Sequence, residues 1–102
     1  MIQTYAIGDI HGCLTKLIGL IGLCQTDAGK RPTRFIFLGD YIDRGPDSQG
    51  VVEFLLMFQQ DRPDDIICLK GNHEDMLLAA RDAPEWEETW LQNGGVHTLQ
   101  SY

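Results

Sequence analysis

Three short segments carry residues able to hold divalent cations and move protons: Gly8-Asp9-Ile10-His11-Gly12, Gly39-Asp40-Tyr41-Ile42-Asp43-Arg44-Gly45 and Gly71-Asn72-His73-Glu74. Asp9 and His11 are one residue apart. On an extended or turning backbone both can converge on one ion while Ile10 points away into a core. Asp40 arrives from the next segment, and its two carboxylate oxygens can bridge two cations. Asn72 offers a neutral carbonyl oxygen. Mixed oxygen and imidazole ligands suit Mn, Fe, Zn or Ni rather than a thiolate-seeking metal. Two such ions roughly 3.5–4 Å apart can clamp a phosphoryl group and supply a nucleophilic hydroxide. Taken singly, each residue has an ordinary role. An Asp after a strand caps a turn, a lone His is satisfied in a core or at a surface, and an exposed Asp-Arg pair contributes little. Order and spacing set these three segments apart.

The elements that must position them follow from the apolar pattern. Residues 2–7 read as a strand ending at Gly8. Residues 13–24 read as a helix with a broad apolar face of Leu14, Leu17, Ile18, Ile21 and Leu23. Gly19 and Gly22 lower its stability by roughly 1 kcal/mol each against Ala, so their spacing suggests either close approach to another backbone or simple tolerance. Residues 25–32 read as a polar loop. Residues 33–38 form a second strand, continuously apolar at Phe35-Ile36-Phe37-Leu38, as expected of a strand covered on both faces. Asp47 or Ser48 can cap a second helix reaching about Gln60, which buries Val51, Val52, Leu55 and Leu56. Arg62-Pro63 stops it. Residues 65–69 give a third strand and residues 74–81 a third helix, broken at Pro84. Residues 85–91 form a short helix, Asn93-Gly94-Gly95 a turn, and residues 96–101 a last helical stretch. The order β-α-β-α-β-α predicts an α/β fold with parallel strands and right-handed crossovers. Ligand sites in such sheets lie beyond the carboxyl ends of the strands, where all three segments fall.

Composition narrows the function. A hydrophobic fraction of 43% is that of a globular chain, and 102 residues suffice for one core. A net charge of −7 argues against binding nucleic-acid polymers. It is consistent with carboxylates gathered for cations or with an acidic surface. Cys13, Cys24 and Cys68 have no metal-ligand spacing and read as reduced thiols, which fits a cytoplasmic location. The first residues lack the pattern of a signal peptide, and the apolar stretch from Leu14 to Cys24 is too short to span a bilayer.

The three segments together resemble the signature of the calcineurin-like metallophosphoesterases, especially their serine/threonine protein phosphatase branch. Trp90-Leu91-Gln92-Asn93-Gly94-Gly95 with Thr98 looks like the bacterial members, and symmetrical diadenosine tetraphosphatases share related features. The resemblance implies a two-metal phosphoesterase, with Mn the first expectation. It assigns Asp9, His11 and Asp40 to one metal, and Asp40 and Asn72 to the start of a second. It makes His73 the acid that protonates the leaving oxygen, with Asp43 orienting it, and gives Arg44 and Asn72 to the substrate phosphate. An imidazole held by a carboxylate suits the first role, and a guanidinium fork suits the second. Glu74 is expected to be structural or substrate-positioning.

The family also draws two later histidines from a second half. His97 is the only histidine after the third segment and reads as a surface or packing residue, so the second metal site is incomplete. Residues 1–102 are therefore expected to be the N-terminal part of one catalytic domain, one half of an α/β sandwich followed by short helices. Its apolar face would be exposed and able to self-associate. The expected activity is metal-dependent hydrolysis of phosphate monoesters on phosphoproteins or small phosphoesters. The alternatives are a dinucleoside polyphosphate hydrolase or an inactive metal-binding half-domain. Trp86 and Trp90, four apart, read as packing residues rather than a nucleobase platform.

Overall fold

The computed structural model describes residues 1–102. Strands β1 (Gln3–Ile7), β2 (Thr33–Phe37) and β3 (Ile66–Cys68) form one parallel sheet in the order β1-β2-β3. Tyr5 lies opposite Phe35, Ile7 opposite Phe37, and Phe37 opposite Cys68. Helices α1 (Leu14–Ala28) and α2 (Ser48–Asp61) make the two crossovers. The core is Ile7, Ile10, Leu17, Ile21, Phe35, Phe37, Val51, Leu55 and Ile66, so both helices pack on the face that carries Phe35 and Phe37.

The opposite face is not covered. Ala6, Leu38, Ile67 and Leu69 are exposed, and Ile36 is only partly buried. This corrects the expectation that β2 would be covered on both faces. The continuous apolar run marks two apolar faces, of which one is filled here. Burial on the helices is also narrower than their apolar residues suggest. Ile18 and Leu23 of α1 and Leu56 of α2 are exposed, and Val52 is half-buried. Nothing approaches Gly19 or Gly22, so neither marks a close backbone contact.

Helix α1 runs four residues past its expected end. The added turn places Ala28 in the interior, and the Tyr5 hydroxyl donates to Asp27 Oδ2 at 2.7 Å. Arg31 ties the same turn to β1, donating to Ala28 O, Asp27 O and Gln3 Oε1. Asp47 caps α2 by accepting from the Gly50 N–H at 2.9 Å. Helix α3 (Asn72–Asp82) starts two residues earlier than expected. A 3₁₀ turn (Pro84–Trp86), α4 (Glu87–Trp90), a kinked segment (Leu91–Gly95) and α5 (Val96–Ser101) follow. The kink falls at Asn93 and Gly94, as the turn expected there requires. No helix is long and apolar enough to cross a membrane.

The carboxyl ends of β2 and β3 are pinned by one side chain. The Tyr41 hydroxyl donates to Leu69 O at 2.6 Å, with Phe37 O at 3.0 Å. Burial first, then Cys68 and Glu74, pushes its ionisation upward. Folding therefore favours the protonated phenol. That contribution is complete below the ordinary value, about pH 10, and is lost as pH rises through the higher folded value. The wild-type chain should lose stability above about pH 10 more steeply than Tyr41→Phe. Urea midpoints on either side of that pH would show it; parallel losses in the two proteins would exclude the role.

Candidate metal and phosphoester site

Two loops bring the first ligands together through main-chain bonds. The N–H groups of Ile10 and His11 both donate to Asp40 O, at 3.0 and 2.9 Å, and Gly12 N–H donates to Tyr41 O at 2.8 Å. Asp47 N–H returns to Gly12 O at 3.0 Å. Ile10 is buried in the core, so its neighbours Asp9 and His11 are left on the outer side of the turn. The result is a group in which ligand atoms of Asp9, His11 and Asp40 lie within 4.8 Å of one another.

The chemistry of these donors fits a cation. His11 Nδ1 donates to Ile42 O at 2.8 Å, which leaves Nε2 as the available ligand nitrogen. A backbone carbonyl behind a ligating imidazole is the usual device for fixing its tautomer and orientation. Asp40 Oδ1 accepts the His73 N–H at 2.9 Å, leaving Oδ2 uncommitted. Asn72 stands exposed at the first position of α3 and makes no side-chain hydrogen bond, so its amide is free to take a ligand.

The third loop is locked to the second by Glu74. Its Oε1 accepts the N–H groups of Asp40 and Gly71, at 2.6 and 2.8 Å, and its Oε2 accepts that of Tyr41 at 2.9 Å. Both oxygens are spent on backbone, which selects the structural role for Glu74. Gly39 sits at the same junction with φ +107°, and a Cβ there would strike the backbone of Gly71. The two loops could not meet so closely with a larger residue.

Asp43 is fully buried, and its carboxylate is saturated. His73 Nδ1 donates to Oδ2 at 2.8 Å, Trp90 Nε1–H lies 2.9 and 3.0 Å from the two oxygens, and Thr98 Oγ1–H donates to Oδ1 at 2.7 Å. A buried carboxylate is tolerated only with such partners. The His73 ring meets the His11 ring edge-on, with centroids 4.5 Å apart. This places the His73–Asp43 pair beside the Asp9-His11-Asp40 group. Arg44 is exposed at the margin of the same loop.

Four non-glycine residues have left-handed backbones: His11 (φ 44°), Asp40 (56°), Asp43 (75°) and Arg44 (72°). All four belong to this cluster. Strain of this kind, on the order of 1–3 kcal/mol per residue, persists where surrounding structure over-determines it and gathers at working sites.

The structure brings Asp9, His11 and Asp40 together with the His73–Asp43 pair beside them, and adds a support behind Asp43 that the sequence pattern does not reveal. Trp90 is buried, as a packing residue should be, yet its indole N–H is also a carboxylate partner. Ser48 and Thr98 complete the support, since both hydroxyls accept the Asp43 N–H, at 3.1 and 2.8 Å. Only a Trp and a Thr on the far side of a glycine turn could have hinted at this. His97 is exposed on α5 and is not a member of the ligand group.

The chain belongs to the calcineurin-like phosphoesterase family, whose model matches residues 2–100. It is 38% identical over 93 residues to serine/threonine-protein phosphatase 1 of Salmonella typhimurium, covering 91% of this chain and 39% of that protein. It is 37% identical over 82 residues to the symmetrical bis(5'-nucleosyl)-tetraphosphatase of Pseudomonas fluorescens, covering 80% of this chain and 27% of that protein. It is also 35% identical over 92 residues to the zinc-dependent endopolyphosphatase of Saccharomyces cerevisiae, covering 90% of this chain and 26% of that protein. The chain therefore spans about two fifths or less of the length of these relatives.

Proposed function

We propose that residues 1–102 are the amino-terminal part of a single metallophosphoesterase catalytic domain, and that the protein hydrolyses phosphate monoesters, with phosphoserine or phosphothreonine proteins as the first substrate class. One observation carries this reading: a carboxylate-imidazole-carboxylate group with ligand atoms within 4.8 Å stands beside a buried His-Asp pair and an exposed arginine. Asp9, His11 and Asp40 would hold one divalent cation, and Asp40 with Asn72 would contribute to a second. Mn is the first metal to test, with Fe, Zn and Ni as alternatives. Bound cations would supply Lewis-acid polarisation of the phosphoryl oxygens and activation of water.

The chain's own residues do the rest. Arg44 binds phosphate oxygens through its guanidinium fork. Asn72 presents its amide to the same oxygens. His73 keeps its Nδ1–H on Asp43, so the imidazolium form would give its Nε2 proton to the leaving oxygen and be left as the neutral ring still bonded to Asp43. The free thiols and the net charge of −7 fit a cytoplasmic enzyme acting on phosphoproteins rather than nucleic-acid polymers.

The test has two stages. Isothermal titration of Mn²⁺ into the chelator-treated chain should show binding that Asp9→Asn weakens on the order of 100-fold. Equal affinity in the variant would remove the metal assignment. Metal-loaded protein is then assayed on a phosphoserine peptide, p-nitrophenyl phosphate and diadenosine tetraphosphate. Faster turnover of the peptide supports the phosphatase reading. Faster turnover of the dinucleotide replaces it with the second activity, which the likeness to a bis(5'-nucleosyl)-tetraphosphatase favours. Metal binding with no hydrolysis of any of the three leaves the metal-binding half-domain.

A further inference from the structure

The segment from Trp90 to Thr98 converges on a single loop from behind. Trp90 and Thr98 both donate to the Asp43 carboxylate, and Thr98 and Ser48 accept the Asp43 N–H. Gly94 O accepts the next N–H along, that of Arg44, at 3.1 Å. Gly94 has φ +103°, and a Cβ there would strike Cγ of Arg44. Gly95 lies flat against the Trp90 indole, where a Cβ would also collide. The two consecutive left-handed residues Asp43 and Arg44 are therefore held on their main chain and their side chain by one short stretch, 47 to 55 residues away in sequence.

We propose that this stretch is a positioning element, with Trp90 and Thr98 as positioning residues that fix the Asp43 carboxylate and, through it, the tautomer and orientation of His73. The consequence for proton delivery rests on the phosphatase reading; the geometry does not. A carboxylate has several acceptor directions, and a ring nitrogen beside an unrestrained one can turn away. With Trp90 across both oxygens and Thr98 on Oδ1, the direction left for His73 Nδ1 is the one it occupies at 2.8 Å. Bulk alone does not account for this placement. An indole that only filled space would not need its N–H aimed at a buried carboxylate.

The two imidazoles provide a test with its own control. His11 and His73 both donate from Nδ1, one to Ile42 O and the other to Asp43. Solvent exchange of both imidazole N–H protons is followed by NMR on the ¹⁵N-labelled, metal-free 102-residue chain. Trp90→Phe keeps a ring and removes the donor; Thr98→Val keeps the shape and removes the hydroxyl; Thr98→Ser keeps the hydroxyl. Exchange at His73 should accelerate about tenfold in the first two variants, the size of one lost hydrogen bond. It should return to the wild-type rate in Thr98→Ser, with His11 unchanged throughout. Unchanged exchange at His73 overturns the proposal, as does equal acceleration at both histidines, the mark of general loosening. Should Trp90→Phe not fold, the Thr98→Val and Thr98→Ser pair decides alone. The readout uses neither metal nor substrate, so it stands or falls separately from the phosphatase reading.

Discussion

Glu74→Ala is expected to lower the unfolding free energy by about 3–5 kcal/mol, close to the whole stability of many domains of this size. Three backbone N–H groups, those of Asp40, Tyr41 and Gly71, depend on this one carboxylate. Hydrogen bonds to a charged acceptor contribute about 1.5–3 kcal/mol each, and the three share one anchor, so their sum is discounted. The carboxylate is partly buried where the Gly39–Gly71 contact holds the two loops against each other. Glu74→Gln should fall between the two. Its carbonyl oxygen can still accept, while its NH₂ faces a donor. Urea denaturation at neutral pH measures all three proteins. A loss under about 1 kcal/mol in Glu74→Ala would mean that the two loops are held mainly by other contacts.

On the proposed phosphoesterase reading, Asp43→Asn should leave a fold and remove most of the metal-dependent turnover. The amide has one acceptor oxygen where three donors converge, so a buried donor loses its partner at a cost of about 2–4 kcal/mol. The larger effect is chemical. An amide in place of the carboxylate removes the negative charge that supports the imidazolium, the form from which an acid would give up its Nε2 proton. General acid catalysis contributes about 10²–10⁴-fold, and a loss of about 10²–10³ is expected on the proposed reading. The size should depend on the leaving group. An alkyl phosphate needs a proton on its departing oxygen, whereas p-nitrophenolate departs without one. Metal-dependent turnover of both substrates, compared in wild type and Asp43→Asn, therefore separates proton delivery from folding. Equal losses on both would make the pair a structural support rather than an acid.

The strands and the cluster were legible in the sequence because both depend on local pattern. Short apolar runs ending in glycine gave β1 to β3 to within one or two residues, and the strand-end rule placed the three acidic loops together. Long-range complementarity was not legible. Nothing near Trp90 says that its N–H will meet a carboxylate 47 residues earlier, because tryptophan in a helix is satisfied by many neighbours. The missed turn of α1 has a more local cause. Residues 25–27 are polar, but Ile21, Cys24 and Ala28 keep the helical spacing of the inward face, and that spacing carried the signal. The apolar run of β2 misled in the other direction. Hydrophobic side chains on both faces describe what a strand can bury, and this sheet has helices on only one side.

The wide sequence span of the Asp43 bonds sets an order of assembly. A chain is made from its amino end, and early segments begin to fold first. Asp9, His11 and Asp40 exist once forty residues have been made, and the bonds joining their loops close over about thirty. Thr98, which completes the shell around Asp43, arrives 55 residues after it. Glu74 and His73, which fix Asp40, are made about two dozen residues before Thr98. On the proposed reading, the residues for holding a cation would thus be in place before the shell that orients the His73–Asp43 pair.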